Sequence, residues 1–192
     1  DPRQHWGHAV SRDLIHWRDL PYAIYPNPEY QCFSGATLVE EDRVIAIYHG
    51  TQAGNMVAVS DDPLLLNWRK LTGQPVIPMA GPDGSPLPYN VFDPCIWKKG
   101  NWYYSLSAGT LPHKPSGKRT RADFLLRSRN LTDWEYLHPF VEGDCFTRVG
   151  DDGACPYFWP IGDRHILLFF SHMSGGQALV GDYDTARDTP LA

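Results

Sequence analysis

The chain has 192 residues, of which 42% are hydrophobic and 13% aromatic, enough to build one packed domain rather than a disordered tail. Its net charge of −5 and its thin spread of Lys and Arg argue against a nucleic-acid partner. No apolar run reaches the eighteen or so residues of a membrane-spanning helix, so no membrane partner is expected.

Taken in order, the chain reads as short apolar segments bounded by Gly, Pro, Asp or Asn. The examples are 36–39, 44–48, 56–59, 102–106, 124–127 and 165–170. Each has the length and composition of a strand. No segment keeps a 3.6-residue apolar period over three turns, so the fold is expected to be all-β.

One short unit recurs three times: SRDLIHW from Ser11 to Trp17, SDDPLLLNW from Ser60 to Trp68, and SRNLTDW from Ser128 to Trp134. A recurrence at roughly 50 residues marks a β-propeller or a similar array. The Asp or Asn of each unit suits a turn, because it can bond the backbone two residues on and tolerates left-handed geometry. The closing Trp is expected to pack between neighbouring sheets. A second repeat lies between these units. Phe33 to Thr51 and Phe92 to Thr110 both run from Phe to Gly-Thr, and Ala154 to His172 is a looser third copy.

Together the repeats predict four-stranded antiparallel blades. Residues 1–28 hold the end of one blade, 32–78 and 91–141 hold complete ones, and 152–184 hold part of another. The chain is thus expected to contribute three to four blades of a larger ring. Either missing segments or an oligomer would close it, since open sheet edges are an aggregation hazard.

Propeller chemistry sits where the innermost strands begin. Here those positions are Ser34, Asp93 and Ala154. Asp93 is the leading candidate, because a carboxylate near the axis can stabilise developing positive charge or bind sugar hydroxyls. The competing reading is an Asp that caps a turn before Pro94. Asp151 and Asp152 enter the third innermost strand, as a source of a raised-pKa acid or as a solvated loop pair. His49 and His172, at the ends of second strands, read as structural hydrogen-bonders more than catalysts. Lys114, Lys118, Arg119 and Arg121 read as a solvated loop tip. Cys32, Cys95, Cys145 and Cys155 lack metal or redox spacing and read as free thiols, which leaves the compartment open. No metal and no cofactor is expected, since no phosphate-binding, dinucleotide or metal motif is present.

The segment WGHAVSRDLIHWRDLP, from Trp6 to Pro21, closely resembles the first blade of glycoside hydrolase family 32, the invertases and β-fructofuranosidases. Phe33-Ser34-Gly35 matches the family's F-S-G segment. Phe92-Asp93-Pro94 resembles its R-D-P motif, and Ala154-Cys155-Pro156 its E-C-P motif. The resemblance covers nearly the whole chain, in the family's order. It implies a five-bladed propeller with a funnel for a fructoside-like carbohydrate, and a retaining double displacement by two carboxylates. Asp93 would be the transition-state stabiliser, with Trp6, Phe33, Ser34 and Phe92 lining the sugar site.

Three departures bear on activity. The family's nucleophilic Asp belongs to an N-D-P-N-G motif upstream of Trp6, which these residues do not contain; Asp1-Pro2 lies too close to Trp6 to stand in. The proton-donating Glu falls at Ala154, and the Arg of R-D-P falls at Phe92. The chain alone is therefore expected to be inactive, with Asp152 as a substitute acid in an active parent. The alternatives are a non-catalytic carbohydrate-binding propeller, an arabinanase-like glycosidase and a protein-interaction propeller.

Overall fold

A computed structural model describes residues 2–112, 117–141, 148–184, 186 and 188. Among these residues there is no helix, and every regular element is a strand. The strands form four antiparallel sheets laid down strictly in chain order.

The first sheet pairs β1 (Trp6–Ser11) with β2 (Trp17–Ile24). The second runs β3 (Cys32–Val39), β4 (Val44–Gly50), β5 (Gly54–Ser60) and β6 (Arg69–Lys70), with β7 (Ile77–Pro78) also pairing β5. The third runs β8 (Pro94–Lys99), β9 (Trp102–Pro112), β10 (Arg119–Ser128) and β11 (Trp134–Pro139). The fourth runs β12 (Ala154–Ile161), β13 (Arg164–Ser171) and β14 (Gly175–Gly181). Every apolar segment singled out from the sequence lies inside one of these strands.

The apolar runs are continuous, rather than alternating, because central strands are covered on both faces. In β4 and β5, Ile45, Ile47, Val57 and Val59 enter one core cluster. Their neighbours Ala46, Tyr48, Met56 and Ala58 enter another, facing Ile24, Trp6 and Trp68. A period of two thus sends successive residues to two different sheet–sheet interfaces. The first strands of the last three sheets meet one another: β8 packs against β3, and β12 against β8 and β3.

The repeated Trp unit forms the same local turn each time, with one correction to the expectation. The left-handed residue is the Leu, not the Asp or Asn: φ is 61° at Leu14, 55° at Leu65 and 69° at Leu131. The backbone carbonyl of that Leu accepts the indole N–H, at 3.2 Å from Trp17, 2.8 Å from Trp68 and 2.9 Å from Trp134. Oδ1 of Asp13 and of Asn130 accepts the two following N–H groups, which fixes the turn. Trp68 and Trp134 are partly buried against the cores as expected, but Trp17 is 56% exposed. Its sheet has a neighbour on one side only among the described residues.

The loop-tip reading of the basic cluster fits Lys118, which is exposed outside the strands, and fails for Arg119 and Arg121, which lie in β10. Arg121 lies within β10, fully buried, paired with Asp123 and stacked 4.2 Å from the centre of the Phe169 ring. Arg119 donates to Oγ1 of Thr110 and to Oδ1 of Asn90. Lys114 lies outside the described residues. Cys32 and Cys95 are buried free thiols, each pushed up to about 12 chiefly by burial, and Cys155 is a half-buried free thiol. Cys145 lies outside the described residues.

Candidate active site

The heads of β3, β8 and β12 enclose a cleft of about 330 Å³. Irregular pairing shapes two of those heads. The ladder between β3 and β4 slips between Cys32 and Gly35, so Phe33 and Ser34 leave the regular alternation and line the cleft. The ladder between β12 and β13 slips between Ala154 and Tyr157, around Cys155, whose φ is 50°. Such bulges re-aim side chains out of a sheet. Gly35 is required where β3 meets β4: a Cβ there would lie 2.1 Å from the carbonyl oxygen of Ile47.

Asp93 immediately precedes β8. Its main chain is fixed by the Ala108 N–H, which donates to the Asp93 carbonyl at 3.0 Å. The preceding Phe92 N–H donates to Oγ of Ser107 at 3.1 Å. Oδ2 of Asp93 accepts the backbone N–H of Cys155 at 3.1 Å and its thiol at 3.3 Å. This carboxylate therefore ties β8 to β12. Its Oδ1 has no hydrogen bond among the described residues, so one oxygen anchors while the other is available to a ligand.

Of the six residues proposed from the sequence, Phe33, Ser34, Phe92, Asp93 and Asp152 all line this cleft. Trp6 does not. It lines an adjoining cleft that shares Phe33 and Ser34, and its indole N–H donates to the Phe33 carbonyl at 2.8 Å. Asp151 is no solvated partner of Asp152: it is 4% exposed, and its Oδ1 accepts the Asp152 N–H at 2.9 Å. Only Asp152 of that pair lines the cleft.

Three titratable cleft residues were not assigned a site role from the sequence: His49, Cys155 and His172. His49 is 5% exposed, with Nδ1 3.3 Å from Oδ1 of Asn55, and its ring lies 5.8 Å from Phe92. Burial lowers its pKa, against the opposing pull of Asn55 and Asp93. His172 is exposed, with Nδ1 3.0 Å from Oδ1 of Asp152. That bond raises its pKa first, and Asp151 and Asp93 add to it. The one sequence signal for both was their shared position at second-strand ends. Among the described residues, no group of three or more His, Cys, Asp or Glu could hold a metal ion.

The family model for the glycosyl hydrolases family 32 N-terminal domain matches residues 2–189. The chain belongs to glycoside hydrolase family 32. Among curated relatives of this family 32 chain, a levanase from Bacillus subtilis is 31% identical and covers 94% of it. A sucrose-6-phosphate hydrolase from Zymomonas mobilis is 28% identical and covers 86% of it. A solved family 32 β-fructofuranosidase variant from Bombyx mori, in complex with sucrose, superposes with a TM-score of 0.71 over 96% of this chain, at 28% identity. The family 32 chain spans 28% and 34% of the two curated relatives and 41% of that solved chain. The fold is therefore the propeller type of this family, and the chain is a fructosidase-type domain.

Proposed function

We propose that this chain supplies the sugar-binding wall of a five-bladed fructosidase propeller, and that its 192 residues alone do not hydrolyse sucrose or inulin. On this reading 1–28 end one blade, 32–78 and 91–141 are whole blades, and 152–184 begin another. The observation that carries the proposal is Asp93, held by Cys155 in a cleft with Phe33, Ser34 and Phe92. A carboxylate in that setting can hydrogen-bond fructosyl hydroxyls and stabilise the positive charge that develops as the glycosidic bond breaks.

Inactivity follows from composition. The sequence contains no N-D-P-N-G segment, and the acid's place is taken by Ala154. Losing such groups costs several powers of ten in rate. Asp152 is the other carboxylate lining the cleft and takes part in the substitute acid of an active parent. Ala154 and Phe92 also support a second reading, a carbohydrate-binding propeller without catalysis.

Calorimetry with sucrose and inulin, together with an assay for released fructose, tests both readings. Binding that is lost in Asp93→Ala, with no fructose released, is expected. Turnover of either sugar well above the blank would overturn the inactivity, and absence of binding would overturn the sugar site.

A further inference from the structure

His172 follows the end of β13, and Asp152 precedes the head of β12. Their contact of 3.0 Å, between Nδ1 and Oδ1, joins two residues that line the cleft holding Asp93. Two further contacts hold the pair. The Phe170 ring packs edge-on to the imidazole at 5.5 Å and 89°. The buried Asp151 carboxylate accepts the Asp152 N–H. The His172 side chain is 67% exposed, so it can recover a proton from solvent.

We propose that His172 and Asp152 form the proton-donating pair of this cleft, with the imidazole delivering the proton to the leaving oxygen of a bound sugar. The proposal rests on the fructoside reading above. A methyl group at Ala154 can donate nothing, whereas the Asp152 carboxylate lines the cleft beside His172. An imidazolium held through Nδ1–H by that carboxylate keeps Nε2–H as its free donor. The proton would pass from Nε2 to the glycosidic oxygen as the carbon–oxygen bond breaks. The bonding pair stays on that oxygen, and the imidazole becomes neutral. Asp152 remains a carboxylate throughout. In an active parent, positive charge then appears on the sugar beside Asp93, water adds to that carbon, and the surplus proton of the water returns to the neutral Nε2.

The charged groups acting on His172 are Asp152, Asp151 and Asp93, and all three favour the protonated ring, while burial opposes it slightly. The donor is thus fully charged below its ordinary range near pH 6.5 and is lost as pH rises through a higher midpoint.

An NMR titration of the His172 ring, on the whole chain with and without saturating sucrose, tests the pair. A midpoint above the ordinary value is expected, falling back toward it in Asp152→Asn. An unmoved midpoint overturns the pair. If that variant does not fold, Asp152→Ser takes its place, and an unmoved His172 midpoint there overturns the pair. Sucrose is expected to shift the ring signals of both Phe92 and His172. A shift of Phe92 alone overturns the donor role while leaving the fructoside reading intact. If no cleft signal moves, the fructoside reading fails and the donor role falls with it.

Discussion

The turn from Ser11 to Trp17 and the turn from Ser128 to Trp134 are nearly the same object in two settings. In both, a serine Oγ accepts the leucine N–H at 2.9 Å, and the leucine carbonyl accepts the indole N–H. Yet Leu14 is 77% exposed and Leu131 is 2% exposed. Local hydrogen bonds therefore specify the turn, and adjacent sheets supply its burial. Charge follows the same rule. Asp13 pairs with His16 in solvent, whereas Glu40, at the tip between β3 and β4, bonds Tyr103 and Lys98 of the next sheet.

The contrast is broken most forcefully by truncating the two leucines. Leu131→Ala is expected to cost about 2–5 kcal/mol in urea unfolding, and Leu14→Ala less than about 0.5 kcal/mol. Equal losses would mean that the exposed turn is covered in solution. The second comparison uses glycines. A Cβ at Gly35 runs into β4, while one at Gly7 meets nothing within 4 Å. Gly35→Ala is expected to cost about 1–3 kcal/mol and Gly7→Ala to be near neutral, as read by thermal melting.

The serines sharpen the comparison from the other side. Ser11→Ala and Ser128→Ala each remove the same three local hydrogen bonds of the serine Oγ, so both should cost a similar amount, about 1 kcal/mol. A much larger loss at Ser128 would mean that burial also sets the strength of the turn. The smallest effect is the acid limb. Burial works against ionised Glu40, but Lys98, Arg43 and Tyr103 outweigh it and hold the carboxyl down at about 2. Its contribution is present above its unfolded range, near pH 4.3, and is lost as pH falls towards about 2. Glu40→Gln should flatten that limb of a stability–pH curve.

The strands were legible because β-branched and aromatic runs lie between turn formers, and the repeated Trp unit revealed the order of the sheets. The position of Asp93 in the repeat, more than its identity, brought it out together with Phe33 and Ser34. What stayed hidden depends on neighbours distant in the chain. His49 and Cys155 reach Phe92 and Asp93 only once three sheets converge. Arg121 was misread because sequence proximity grouped it with Lys118 and Arg119. Two positions apart on one strand, Arg121 and Asp123 share a face and neutralise each other inside the protein. The exposure of Trp17 was equally invisible, since the unit around it is no different from its buried counterparts.

The alternation along β4 also governs how such a chain can change in length. One added residue in that strand would exchange Ile45 and Ile47 with Ala46 and Tyr48, sending an aromatic ring where a branched aliphatic belongs on both sides at once. Insertions are therefore confined to the hairpin tips. The Ser60 to Trp68 turn carries two more residues than its counterparts, and the Asp62 carboxylate absorbs them by bonding the N–H groups of Leu64 and Leu66. Loop growth at those tips can reshape the rim of the molecule while the paired strands keep their registers unaltered.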